Sequence, residues 1–309
     1  MASNPNFPRD LDIQPSRDPN AANSDAAGFE FGADAQAEAI AKYGIAGRVW
    51  EAAYAMLRYL DPPDPHPEFD PPFDPSCGAS PETSTGSDTP LTILELGAGT
   101  GIVGFALARR LHARDMVVVT DLPEVCPLLE DGRQRTLTVR VRPLAWGNEG
   151  HARAIMEELR RAGRRLTHVV CSDLVYFPEL LAPLLRTLLH LTSGAVGEET
   201  VQVVISYKIR SLAKETPFWS AFGLWFVFAP VLVRERAGAG WRRFAGDKEG
   251  ETFVFVARRR GESMAWRVPM DDGELLGGVG AGGTDARKSD DTFEVLLLMG
   301  MDDEDEGEL

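Results

Sequence analysis

Cysteine is scarce. Cys77, Cys126 and Cys171 are the three copies in 309 residues, too few and too scattered for a disulfide framework or a zinc site. Cys171 lies in an apolar run and reads as a small buried hydrophobe. The five histidines show no metal-ligand spacing, so no metal is assigned. Positive charge is short as well. Lys and Arg number 32 against 47 acids, a formal net charge of −15, which argues against non-specific binding to nucleic-acid phosphates or anionic lipid. No basic start followed by an apolar run marks a secretory signal. No apolar stretch reaches membrane-spanning length; the longest, residues 218–233, is broken by Pro230. Together these absences predict a reducing, cytoplasmic setting with no membrane or nucleic-acid partner.

What is present is a hydrophobic fraction of 44%, ordinary for a globular chain but unevenly spread. Residues 1–27 are rich in Pro, Asn, Asp and Ala, the composition of a disordered or loosely docked lead-in. Residues 28–260 are predicted to form one domain. It contains a helix over 48–60 and a Pro/Asp-rich loop over 61–90, in which no packed element is expected. Residues 261–309 form an irregular extension. Within it, 292–299 reads as an isolated strand, and residues 302–309 hold six acids and no base, a solvated tail.

The richest stretch is residues 91–104. A short apolar run over 91–94 reads as a buried strand, and four glycines, Gly97, Gly99, Gly101 and Gly104, follow within eight residues. A helix over 102–111 comes next. Strand, glycine turn and helix make the first unit of a nucleotide-binding α/β fold. Glycine supplies positive φ and lets a ligand touch bare backbone, and the helix start offers unpaired N–H groups. Further strands over 116–120, 137–141, 166–171 and 201–206 alternate with helices over 122–133, 150–161 and 178–191. That alternation predicts an α/β fold with a mainly parallel sheet and helices on both faces. Segments 225–233 and 252–257 have only a loop between them and should pair antiparallel at one sheet edge.

Gly99-x-Gly101-x-x-Gly104 also matches the dinucleotide fingerprint, so the glycines do not choose a cofactor. Three neighbours do. Glu95 precedes the turn, where a carboxylate disfavours pyrophosphate and suits a cationic or amine-bearing ligand. Asp121 closes the second strand, where an acid takes both ribose hydroxyls of an adenosine. Trp146 follows the third strand and offers a face for adenine. Adenosine recognition without a phosphate-binding lysine favours S-adenosylmethionine.

Glu95-Leu96-Gly97-Ala98-Gly99-Thr100-Gly101, the acid Asp121, Leu144-x-Trp146-Gly147, Ser172-Asp173-Leu174-Val175-Tyr176 and the earlier Trp50-Glu51-Ala52-Ala53 occur in this order. The set resembles methyltransferase-like family 21, a group similar to the fungal elongation factor methyltransferases, and the likeness covers roughly residues 44–258. It implies a Rossmann-like, seven-stranded class I methyltransferase with S-adenosyl-L-methionine as cofactor and a protein lysine as acceptor. By that resemblance Gly97, Ala98 and Gly99 pass the methionine end of the cofactor, and Asp121 holds the ribose. Trp146 flanks the adenine, Trp50 covers the cofactor, and Ser172 lines the site. Asp173 and Tyr176 match an Asp-x-x-Tyr motif, with Asp173 orienting the amine and Tyr176 shaping its channel; Ser172 stands where relatives often have Ala. Phe218, Trp219, Phe222, Trp225 and Phe226 fall where relatives place part of the acceptor wall.

Plainer roles compete. Asp121 could cap the following helix, Trp50 and Trp146 could be packed aromatics, and the residues after Phe218 could be core. The expected activity is that of a monomeric, cytoplasmic protein-lysine N-methyltransferase acting on a translation elongation factor such as elongation factor 1-alpha. The alternatives are a small-molecule, nicotinamide-like N-methyltransferase, a catalytically silent cofactor-binding module and, more remotely, a nicotinamide-dependent dehydrogenase.

Overall fold

The computed structural model describes residues 6–8, 11–18, 31–62, 67–73, 90–133, 138–193, 200–236, 238–244 and 251–302. Cys77, most of the 61–90 loop, part of the lead-in and the acidic end from residue 303 lie outside them. In chain order the elements are α1 (Ala33–Tyr43), a 3-10 turn (Gly44–Gly47), α2 (Glu51–Leu60), β1 (Glu68–Asp70), β2 (Thr92–Leu96), α3 (Ile102–Arg110) and β3 (Met116–Asp121). Then come α4 (Cys126–Arg133), β4 (Val139–Pro143), α5 (Glu149–Arg161), β5 (His168–Ser172), α6 (Pro178–Leu191), β6 (Gln202–Lys208) and α7 (Leu212–Trp225). The remainder is β7 (Phe226–Pro230), β8 (Leu232–Arg234), β9 (Arg242–Arg243), β10 (Thr252–Arg259), α8 (Asp272–Leu276) and α9 (Thr292–Asp302).

The main sheet has seven strands in the order β4-β3-β2-β5-β6-β10-β7. Its pairs from β4 through β6 are parallel, whereas β10 runs antiparallel to both β6 and β7. Both faces are covered, so the central strands are apolar on both sides. On β2, Ile93 packs in the cluster that α2 and α3 complete. Its neighbours Leu94 and Leu96 pack in the other, with residues from α5, α6 and α7. Order reverses on either side of β2, and the glycine turn sits at that switch point, at the carboxyl ends of the strands where open α/β sheets bind ligands.

Three expectations need correction. Residues 292–299 form helix α9, not a strand. An unbroken apolar run does not reveal its own period, and Asp290 decides the matter by accepting the Thr292 N–H at 3.0 Å, while Val295 N–H donates to Asp291 at 3.0 Å to open the helix. The loop over 61–90 contains a packed strand after all. Here β1 pairs antiparallel with β8 in a second small sheet, and Phe69 meets Phe244 edge to face at 5.1 Å. The 225–233 segment is divided: Trp225 ends α7, β7 stays on the main sheet, and β8 leaves it after Pro230.

The aromatic group after residue 217 belongs to the core. Phe218, Trp219, Phe222, Trp225 and Phe226 are completely buried, and Phe293 of α9 stacks on Trp219 at 4.9 Å. Replacing Phe293 with Ala should therefore destabilise the fold by about 3–5 kcal/mol in chemical denaturation. A loss below about 1 kcal/mol would contradict the docking of α9 on this cluster.

Candidate active site

The glycine turn is held from two sides by acids. Gly97, Gly99 and Gly101 all have positive φ, at 61°, 52° and 74°, which side chains rarely tolerate. Ala98 N–H donates to Thr120 O at 2.8 Å. Gly99 N–H donates to one oxygen of Asp121 at 2.7 Å, and Leu122 N–H donates to the other at 2.7 Å. Asp121 is thus both the brace of the turn and a carboxylate on the cavity wall. The capping alternative is part of its work and does not exclude a ligand.

Glu95 is buried beneath the turn and accepts the Gly104 N–H at 2.9 Å. Gly104 must be glycine: a Cβ there would lie 2.3 Å from the Glu95 Oε2 and 2.5 Å from Val119 Cγ1. Burial pushes the Glu95 carboxyl up to about 8, against the opposing pull of the Gly104 N–H. The same cause pushes Asp121 up to about 6. Both shifts mark acids that a cationic or hydroxyl-bearing ligand would relieve and that a phosphate would not.

A cavity of about 510 Å³ runs along the turn, within the range for a small-molecule site. Leu144, Trp146 and Asp121 line it, as do Glu95, Gly97, Ala98 and Gly99, and then Trp50, Ser172, Asp173 and Tyr176. The ten residues expected to bind cofactor or act on the acceptor therefore reach one cavity, whereas Phe218, Trp219, Phe222, Trp225 and Phe226, expected in the acceptor wall, do not line it. Trp146 lies over Gly97, where an added Cβ would come within 2.9 Å of its ring. It also meets Tyr176 edge to face at 6.2 Å. Trp50 stands at the N-terminal end of α2 and donates its Nε1–H to Ile45 O at 3.0 Å. Ser172 Oγ accepts from Ser206 Oγ at 3.2 Å.

This lining fits S-adenosylmethionine. Bare backbone at Gly97 to Gly99, the Asp121 carboxylate and the Trp146 indole on one cavity wall suit the polar and apolar parts of that molecule. The acids around the turn do not match a pyrophosphate.

Asp173 is the strained member. Among the described residues it is the one non-glycine with positive φ, at 62°, in a backbone conformation found where a site over-determines geometry. Its buried carboxylate is gripped in bidentate fashion by Arg210, at 2.7 Å and 2.5 Å. Arg210 also lies 3.5 Å from Glu51 and over the Trp50 ring at 5.4 Å. Arg48 also pairs with Glu51 and lies over the same ring at 4.5 Å. Burial pushes the Tyr176 phenol well above its ordinary range, so it keeps its proton near neutral pH.

Arg210, Arg48 and Glu51 were not legible as site residues. One signal existed: Arg210 follows closely on the carboxyl end of β6 at Lys208, the end of a parallel strand where ligands bind.

Residues 34–222 match the family model described as lysine methyltransferase. The chain is 35% identical over 177 residues to protein N-lysine methyltransferase METTL21A of Danio rerio, covering 55% of this chain and 63% of that protein. It is 29% identical over 154 residues to EEF1A lysine methyltransferase 3 of Mus musculus, covering 48% and 52%. Against protein-lysine N-methyltransferase EFM6 of Saccharomyces cerevisiae it is 28% identical over 156 residues, covering 48% and 59%. The chain thus spans little more than half the length of the mouse and yeast proteins.

The Glu95 shift carries a sign that stability measurements read. Its carboxyl binds a proton more tightly in the fold than in the unfolded chain, where 4.5 is ordinary. Its contribution is complete below that value and is lost as pH rises through about 8. Between roughly pH 6 and pH 9 the melting temperature of the ligand-free protein should fall by several degrees more than that of Glu95→Gln. Parallel curves for the two proteins would mean that Glu95 is ionised in the fold throughout.

Proposed function

The chain belongs to the lysine methyltransferase family, and from that premise we propose that it is an S-adenosylmethionine-dependent protein-lysine N-methyltransferase acting on a translation elongation factor. One observation carries the reading. Within the family match, the adenosine-type set of Asp121, Trp146 and the glycine turn shares a single cavity with Asp173 and Tyr176. The target rests on one relative, EEF1A lysine methyltransferase 3 of Mus musculus. The acidic surplus of this chain is compatible with a basic protein partner.

S-adenosylmethionine, when bound, supplies a methyl group on a sulfonium. The residues of this chain do the rest by positioning. Gly97, Ala98 and Gly99 would present backbone to it, Asp121 would receive ribose hydroxyls, Trp146 would offer a face to the adenine, and Ser172 and Trp50 would close the sides. Methyl transfer is an in-line displacement, so holding donor and amine in line supplies most of the acceleration. The acceptor lysine, with an ordinary pKa of about 10.4, must arrive as the neutral amine.

Neither candidate catalytic residue is suited to be a free base. Tyr176 keeps its proton, and both oxygens of Asp173 are engaged by Arg210. Asp173 then acts as a fixed acceptor that orients the amine N–H groups, with Arg210 fixing the carboxylate and Tyr176 bounding the channel beside Trp146. The indole of Trp50, with the guanidiniums of Arg48 and Arg210 near its ring, completes the rim.

Two measurements test this. Incubation of the protein with labelled S-adenosylmethionine and matching cell extract should label a discrete protein band of elongation-factor size. Label in small molecules with none in protein would overturn the protein substrate. Replacing Asp173 with Asn keeps a residue that tolerates positive φ while removing the charge. That variant should stay folded, bind cofactor and lose methyl transfer by about 100-fold, the scale of a misplaced acceptor. Full activity in Asp173→Asn would remove Asp173 from the site.

A further inference from the structure

The cavity has a wall that lies outside the family match. Residues 6–8 and 11–18 precede residue 34, where that match begins, yet Asn6 and Leu11 line the same cavity as Gly99 and Asp121. They are held there by specific contacts. Asn6 O accepts the Ile45 N–H at 2.9 Å, and Asn6 is buried. Gly44 accommodates it: φ is +59°, and a Cβ would lie 1.7 Å from the Asn6 carbonyl oxygen. The 3-10 turn that receives Asn6 packs in turn on the glycine loop, where a Cβ on Gly99 would lie 2.9 Å from Ala46 O.

The far end of the segment is pinned by Gln36, which is only 1% exposed. Gln36 Oε1 accepts the Ser16 N–H at 3.0 Å and the Val49 N–H at 3.1 Å, and its Nε2 donates to Ser16 O at 3.0 Å. The Ser16 hydroxyl meets Tyr54 OH at 3.0 Å and also bonds Val49 O. One buried amide thus joins the N-terminal segment to the residue before Trp50. Leu11 remains 39% exposed with a side chain on the cavity. An apolar group in that position gains burial only when something fills the space beside it.

We propose that residues 6–8 and 11–16 are a strap that forms part of the cofactor-binding surface, with Asn6 and Leu11 closing the cavity and Gln36 as the positioning residue that holds the strap. The role rests on the reading of the cavity as the S-adenosylmethionine site. It adds to that reading a contribution from residues that precede the family match.

Hydrogen exchange on the full-length protein, with and without saturating S-adenosylhomocysteine as the probe, tests it. Peptides over 6–18 and over 97–104 should both exchange more slowly with the ligand present. In titrations, Gln36→Ala should weaken S-adenosylhomocysteine by about tenfold, equivalent to about 1.4 kcal/mol. At saturating ligand that variant should keep protection over 97–104 and lose it over 6–18. Leu11→Ala, at a half-exposed position that should not disturb folding, should weaken binding by about threefold with an unchanged melting temperature. Protection over 97–104 with unchanged exchange over 6–18 in the wild type would overturn the strap while leaving the cofactor site intact. Failure of the wild type to bind at all would overturn the cofactor site and the strap with it.

Discussion

The carboxylate of Asp121 is the brace on which the site depends. Its two oxygens receive N–H groups from the glycine turn and from the start of the next segment, each at 2.7 Å. Charge-assisted bonds of this kind are about twice as strong as neutral ones, and these two fix the turn leaving β2 against the end of β3. That turn in turn sets α3, whose opening N–H groups cover the buried Glu95. Without the Asp121 bonds the glycines would have no reason to stay in left-handed conformations, because glycine loses more freedom on ordering than any other residue. The brace therefore creates the cradle and forms one side of it.

The mouth of the cavity around Asp173 has a different physical character. There the key groups are charged and paired beside an indole: Asp173 with Arg210, Glu51 with Arg48 and Arg210, and Trp50 in contact with both guanidiniums. Pairing leaves this rim close to neutral in sum while keeping strong local fields. Truncating one partner of a buried pair costs far more than a surface pair is worth, because it leaves a charge uncompensated. Arg210 accordingly ties β5, β6 and the α2 entrance into one rigid mouth.

What could be read from the sequence follows the range of the interactions concerned. The strand–glycine–helix unit and the acid that closes β3 are local signals that residues 91–121 carry nearly complete, and the alternation of strands with helices that follows points to a mainly parallel sheet without giving its strand order. Gathering Trp50, Trp146, Asp173 and Tyr176 into one cavity needed the family resemblance, since nothing in their spacing brings them together. Arg210 was missed because its role depends on a strained Asp173 that only the folded backbone reveals. The helix over residues 292–302 was mistaken for a strand because Val295, Leu296, Leu297 and Leu298 are apolar without period. Phe293 and the capping Asp290 settle it. Phe69 was hidden in a Pro/Asp-rich stretch whose composition says loop, though one aromatic sufficed to dock it on Phe244.

The cradle at Asp121 makes a sharp demand on ligand choice, and calorimetric titration of the purified full-length protein reads it directly. S-adenosylhomocysteine should bind the wild type with one-to-one stoichiometry, NAD should give no heat of binding, and Asp121→Ala should lose most of the affinity. Binding of NAD in preference to S-adenosylhomocysteine, or undiminished affinity in Asp121→Ala, would contradict the assignment of this cavity to a methyl donor.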